Sequence, residues 1–361
     1  MCESSAKRSE TALRHTHSSL EISQVQQLGW KEYDRFIEAI IQANEGRWSK
    51  IYQFDYQHSV DLQDEKNGIG KPYSVPITYS DSGGVGEPVV AIGGLTNVFQ
   101  RFDFLAMDGY PDVRLIAVDL VGRGRSGWMS EISDYNLETY VEQILQLLDF
   151  LKLDSVSLLG SSLGGTIAIS IAARCPSRVK RIILNDIGPY IPKERRARRA
   201  VSLARHFVFH SPSELFRRTG AAVKHTGPAP DAVLLHTNHH KTSWSNTENG
   251  RVYRHDLRCL LAYRKSAVSS LDQWHEWNEV QCPVLLLHGM QSDATPDSVV
   301  DRMREHRLLS VVQIEGTGHT PNLADRPLIE SIALWVRNDD PFDKDKFYRV
   351  QYNPKRILYP S

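Results

Sequence analysis

A serine with glycines two positions to either side stands at Gly160-Ser161-Ser162-Leu163-Gly164. An apolar run, Val156 to Leu159, leads into it, and a helix-forming run, Thr166 to Ala173, leaves it. A serine forced into a strained turn at a strand tip projects its hydroxyl outward, and the crowded positions flanking that turn admit only very small side chains. Gly160 and Gly164 meet that demand for Ser162 and are out of register for Ser161. Strand, sharp turn and helix together make the segment a nucleophile elbow with Ser162 as the candidate nucleophile. The N–H of Leu163, at the start of the helix, is a candidate donor to an oxyanion because the helix dipole favours negative charge there.

A serine hydroxyl attacks poorly at neutral pH unless a base takes its proton, and the base works best when a carboxylate fixes its tautomer. His319 follows Gly316-Thr317-Gly318, just past the apolar run Val311 to Ile314. Asp293 lies in Gln291-Ser292-Asp293, past the run Pro283 to Gly289. Both sit in loops beyond predicted strand ends, the edge of a parallel sheet where sites assemble. Asp186 follows a third such run, Val179 to Leu184.

Ser162 in its elbow, then Asp293, then His319 resemble the α/β-hydrolase superfamily in motif and chain order over roughly residues 75 to 337. The resemblance implies a mostly parallel central sheet flanked by helices with an inserted helical cap. It places the triad acid at Asp293, after the strand before last, with Asp186 as the alternative that some members use. It also implies a second oxyanion donor, the N–H of Leu95, after Gly93-Gly94 where the family carries His-Gly. The segment Asp119 to Ser126 is similar to a structural turn of the family. No phosphate-loop pattern accompanies it. Relatives that open epoxides or displace halide use Asp where Ser162 stands. An acyl-serine route fits esters, thioesters, lactones or a ketone-activated carbon–carbon bond of a small-to-medium apolar substrate. A biosynthetic acyltransferase, lyase or cyclase would reuse the same triad. A non-catalytic binding protein has no need of all three residues.

The alternation of strand and helix predicts a mostly parallel sheet with right-handed crossovers. Residues 49–189 and 281–337 form the core in this reading, preceded by a disordered N-terminus and an added helix within 1–48. Residues 190–280 form a helical cap without a clear buried strand, and 338–361 a charged, aromatic tail. Trp244 and Trp274 in the cap are candidate pocket residues, with Trp277, Tyr253 and Tyr263 as further aromatics of the same segment. The run Arg195 to Arg199 reads as a solvated helix face, and His236, His239 and His240 lack the acidic partner that would suggest a metal. No cofactor and no metal is expected.

The chain has 361 residues, 41% hydrophobic and 24% charged, as ordinary globular proteins are. Its 43 basic residues equal its 43 acidic ones, which gives no support to nucleic acid as a partner. No apolar stretch approaches the ~20 residues of a membrane span. Four scattered cysteines and a polar N-terminus without an apolar core point to a reducing, cytoplasmic setting. A small-molecule acyl substrate is the expected partner, with the terminal extensions available for a homo-oligomer.

Overall fold

The computed structural model describes residues 27–59, 72–109, 112–203, 205–227, 229–338 and 348–351. The expected N-terminal disorder, and most of the tail through which an oligomer was expected, lie outside the described residues.

Helix α1 (Trp30–Ala43) comes first, then β1 (Lys50–His58), β2 (Tyr73–Asp81) and β3 (Glu87–Ile92). After α2 (Asp103–Gly109) and β4 (Val113–Val118), α3 (Leu137–Phe150) leads to β5 (Val156–Ser161), α4 (Leu163–Arg174) and β6 (Val179–Asn185). The inserted segment follows. It contains β7 (Tyr190–Ile191), α5 (Lys193–Leu203), β8 (Val208–Phe209), α6 (Pro212–Thr226), α7 (Asp231–His240), β9 (Thr242–Ser245), β10 (Gly250–Tyr253), α8 (Leu257–Ser266), β11 (Leu271–Asp272) and α9 (Trp274–Glu279). The chain then returns through β12 (Val284–Gly289), α10 (Asp297–Met303), β13 (Leu309–Glu315), α11 (Arg326–Val336) and β14 (Tyr348–Gln351).

Nine strands form one sheet in the order β1-β2-β4-β3-β5-β6-β12-β13-β14. Every pairing from β4 to β14 is parallel, and β2 alone opposes its neighbours, as the predicted fold class requires. The central strands are buried on both faces, so they read as continuous apolar runs and alternate residues feed two separate cores. Val90, Ile92, Leu158, Ile182, Leu184 and Leu286 pack toward α3 and α4. Val89, Ala91, Leu159, Ile183, Leu285 and Leu287 pack toward the α2 and α11 side. The described part of the tail, β14, pairs with β13 and extends the sheet by one strand.

The insert is not wholly helical. Strands β8, β10 and β9 make a small antiparallel sheet, and β7 pairs with β11 where the chain leaves and re-enters the insert. These strands are two to four residues long, shorter than the apolar period that betrays a strand. Helix α1 packs on the insert through Tyr33, Ile37 and Ile40 against Phe216 and Leu235. The Tyr33 hydroxyl donates to the Leu235 carbonyl at 3.2 Å, and Arg251 pairs with Asp34 at 3.0 Å.

Candidate active site

Ser162 occupies the single residue between β5 and α4, with φ 52° and ψ −115°. That positive φ is the strained conformation the elbow requires, and the glycines around it permit the chain to turn. A Cβ on Gly160 would fall 2.4 Å from the backbone of Gly164 and Gly165, and one on Gly164 would fall 2.0 Å from the Ile92 carbonyl oxygen. Backbone occupies both places, so no larger side chain fits without moving the strand or the helix.

His319 Nε2 lies 2.9 Å from the Ser162 hydroxyl, and its Nδ1 lies 3.0 Å from a carboxylate. That carboxylate belongs to Asp186, which corrects the expectation of Asp293. Asp186 is fully buried just beyond β6, at φ 53°. Its Oδ1 accepts the Gly289 N–H at 3.0 Å, and its Oδ2 accepts the Ser292 hydroxyl at 2.5 Å as well as the His319 ring. Held in this way, Nδ1 carries the ring proton and donates it to Asp186, leaving Nε2 free to accept from Ser162. Asp293 is half exposed and turned away, pairing at 3.4 Å with both Arg195 and Arg198 of α5. Burial alone would raise its carboxyl, yet Arg195, Arg198 and the nearby His319 together hold it below the usual range.

Gly289 makes the bridging of β6 to the histidine loop feasible. A Cβ there would lie 2.1 Å from the Gly318 carbonyl oxygen, so its absence lets the 317–319 segment cross the end of β12. The Gln291 N–H donates to the Thr317 carbonyl at 2.8 Å and fastens the two loops. Ser292 and Gly289 are therefore supports for the acid that the sequence reading missed. Burial lowers the His319 pKa, Asp186 opposes that shift, and the positive charges of Arg195 and Arg199 add to it.

The loop after β3 passes beside the serine. A Cβ on Gly94 would stand 3.4 Å from the Ser162 Cβ, in ordinary contact. The Gly94 carbonyl accepts from the Asn97 N–H at 3.0 Å, which turns the N–H of the same planar peptide, that of Leu95, the opposite way. Buried Arg123 holds the Leu95 carbonyl at 3.0 Å. Asp119 pins the neighbouring turn by accepting the N–H groups of Phe99 and Arg125. Leu163 begins α4, so its N–H has no intrahelical acceptor.

A cavity of about 1000 Å³ opens above Ser162 and His319, and both Leu95 and Leu163 line it. Its roof is the insert. Neither Trp244 nor Trp274 lines it, which corrects the pocket assignment. Trp274 is buried beside α4 under the Arg302 guanidinium, and Trp244 stands 46% exposed on β9. The aromatic lining comes from Tyr253 and Tyr263, two of the aromatics expected there, joined by Tyr135, Tyr140 and Phe207.

The cavity is also more charged than an apolar pocket. Arg195, Arg196 and Arg199 of α5 face it, and so do Arg205, Arg218, Lys241 and Lys265 of the insert. Arg101 contributes an eighth cation from the floor, and no Asp or Glu is among the described residues that line it. The arginine run is thus only in part a solvated face: Arg195 and Arg196 are buried, whereas Arg198 and Arg199 are exposed. His236 donates or accepts at 2.7 Å with Asp103 and stacks on Trp48, and His239 faces Asp34. Among the described residues no group of histidine, cysteine or carboxylate side chains is arranged to hold a metal.

A family model described as the alpha/beta hydrolase family matches residues 89–330. The chain is 25% identical over 276 residues to the 3-hydroxybutyrate-oligomer hydrolase of Cupriavidus necator, covering 69% of this chain and 88% of that one. It is 24% identical over 266 residues to the (E)-2-((N-methylformamido)methylene)succinate hydrolase of Acinetobacter baylyi, covering 70% and 91%. Among solved structures, an alpha/beta hydrolase from Novosphingobium aromaticivorans superposes with a TM-score of 0.69 at 20% identity, over 80% of this chain and 99% of the other. No helix among the described residues is long and apolar enough to cross a membrane.

Proposed function

The chain belongs to the alpha/beta hydrolase family, and from that premise we propose that it is a serine hydrolase cleaving an ester, thioester or lactone through an acyl-enzyme. The observation that carries this reading is the bridge His319 makes, 2.9 Å to Ser162 and 3.0 Å to Asp186. Ser162 Oγ attacks the substrate carbonyl carbon while its proton passes to His319 Nε2. The carbonyl oxygen becomes an oxyanion facing the N–H groups of Leu95 and Leu163. On collapse the bond to the leaving group breaks, and His319 returns the proton to the departing oxygen or sulfur. Water then repeats the sequence: its proton goes to His319, its oxygen joins the acyl carbon, and Ser162 leaves with the proton back on Oγ. Asp186 holds the ring in its tautomer and stabilises the imidazolium without itself taking the proton.

Both curated relatives above are named hydrolases, which favours water over another acceptor as the group that releases the acyl-enzyme. A fluorophosphonate probe tests the reading directly, because it reacts only with an activated serine. Labelling is expected at Ser162 and is expected to vanish in Ser162→Ala. A folded protein that the probe does not modify would exclude the proposal.

A further inference from the structure

The chain as a whole is electrically balanced, 43 basic residues against 43 acidic. Its cavity is not. Eight cationic side chains face a volume of about 1000 Å³ with no carboxylate among the described lining residues. Crowding like charges into a partly desolvated space costs free energy, and a protein that tolerates it gains only when an anion enters.

The cations divide into two groups. Several are already bound by the protein. Arg195 pairs with Asp293, and Arg196 donates to the Ser269 carbonyl at 2.7 Å and the Ser266 hydroxyl at 2.8 Å. Arg101 donates to the carbonyls of Thr320 and Pro321, beside His319. Arg199, Arg205, Lys241 and Lys265 have no side-chain hydrogen-bond or ion-pair partner within the described residues, and of these Arg199 and Lys241 are the pair whose charges interact. They come from separate elements, α5 and the turn after α7, and they sense each other's charge across the space between them.

We infer that the cavity takes a substrate carrying, besides the scissile carbonyl, an anionic oxygen group, carboxylate or phosphate, which Lys241 and Arg199 neutralise. The inference rests on the hydrolase reading of the same site and names its substrate class. It replaces the expectation of an apolar acyl chain with that of an amphipathic one, whose chain lies along the tyrosines and Phe207 and whose anionic end reaches the roof. The state of Lys241 agrees: burial, with the charges of Arg101 and Arg199, pushes its ammonium down to about 7. An anion placed against it would restore the charged form. Arg199 is lowered in the same sense, by the protein packed around its head group and then by Arg195, although the residue keeps an exposed surface.

The test measures how fast a fluorophosphonate labels Ser162 in the presence of candidate occupants. One arm uses α,ω-dicarboxylates of about four to eight carbons, another the alkyl monophosphates of similar length, and the control the neutral α,ω-diols and alkyl alcohols of matching length. At least one anionic series is expected to slow labelling by about tenfold relative to its neutral counterpart, the effect of one charge-assisted hydrogen bond or slightly more. The better arm identifies the anion. In Lys241→Met and in Arg199→Gln, each referred to its own unprotected labelling rate, that advantage should fall to about twofold or less, and in the double variant it should disappear. Arg199→Gln keeps a polar side chain of similar length, so at least one variant remains informative if the other unfolds. Labelling at Ser162 with equal protection by neutral and anionic compounds would overturn the inference and leave the hydrolase reading standing. Absence of labelling altogether would instead remove the hydrolase reading.

Discussion

The floor and the roof of the cavity are built on opposite electrostatic principles. On the floor every polar group of the Ser162–His319–Asp186 array has a protein partner, and Asp186 alone receives a backbone N–H, a hydroxyl and the imidazole. On the roof, Arg199 and Lys241 face the cavity with no such partner among the described residues. The floor is complete before any ligand arrives, as preorganised electrostatic catalysis requires. The roof holds charges whose compensation must come from outside. In the proposed function, chemistry and recognition fall to different segments: the first to strand ends fixed by the sheet, the second to side chains of the insert.

Substitutions on the floor and on the roof are expected to act differently. Ser162→Ala removes the covalent route and is expected to lower kcat by up to about 10⁶-fold with the fold intact, as in other triad enzymes. Adding His319→Ala should cost little more, and multiplying losses in a kinetic double-mutant cycle would refute the idea of one floor unit. Asp186→Asn should cost about 10³–10⁴-fold in kcat through an inverted tautomer, whereas Asp293→Asn should cost only a few-fold. The opposite ranking in steady-state rates would return the acid to Asp293.

Gly289→Ala is the geometric test of the floor. The added methyl would meet the Gly318 carbonyl, and a shift of about 1 Å in the histidine loop is expected to cost roughly 10²-fold in kcat/KM. A rate near wild type would mean that the loop yields freely. Because burial and the nearby Arg195 and Arg199 outweigh Asp186 and lower the His319 pKa, the acid limb of kcat/KM against pH should lie below the ordinary imidazole value of about 6.5. An acid limb above that value would contradict the cationic surroundings of the floor.

The smallest effect concerns stability. The folded-state pKa of Lys241 lies below its unfolded value, so the charged form is penalised in the fold. The resulting loss of stability is absent above the unfolded pKa, grows as pH falls toward about 7, and is complete below it. Lys241→Met should therefore raise the thermal midpoint by several degrees at about pH 6 and by less at about pH 9. A fall in the midpoint at both pH values would show that Lys241 is a structural member of the roof.

The floor was largely legible in the sequence because backbone sterics dictate it. Ser162 needs glycines at two fixed offsets, and His319 follows an apolar strand run after one short glycine-containing loop. The acid was misplaced because two aspartates follow strand ends in similar ways. What separates them is the placement of α5, whose Arg195 and Arg198 draw Asp293 aside, and no local pattern fixes where that helix lies. Asp186 carried one signal in its favour: only Asn185 separates it from the apolar run Val179 to Leu184, whereas three residues separate Asp293 from the run ending at Gly289. The roof was illegible for a related reason. Its cations come from four segments that are remote in sequence, so a neutral overall charge concealed a local excess. The tryptophans were weighed by type, but Trp244 and Trp274 point to the outer face and to α4.

Helix α1 bears on how a ligand enters. The insert is joined to the sheet where it leaves β6 and where it returns to β12, and two attachments close together would make a hinge. Side-chain contacts such as His236 with Asp103 and Tyr135 with Asp256 fasten the insert further, and helix α1 adds a distant third region of attachment, because it leads into β1 at the far edge of the sheet while its apolar side grips α6 and α7. A plate fastened at two adjacent points can swing, but one fastened also at a distant third must bend. Access to Ser162 then depends on rearranging long flexible side chains at the rim, a motion of nanoseconds, more than on the slower travel of a lid.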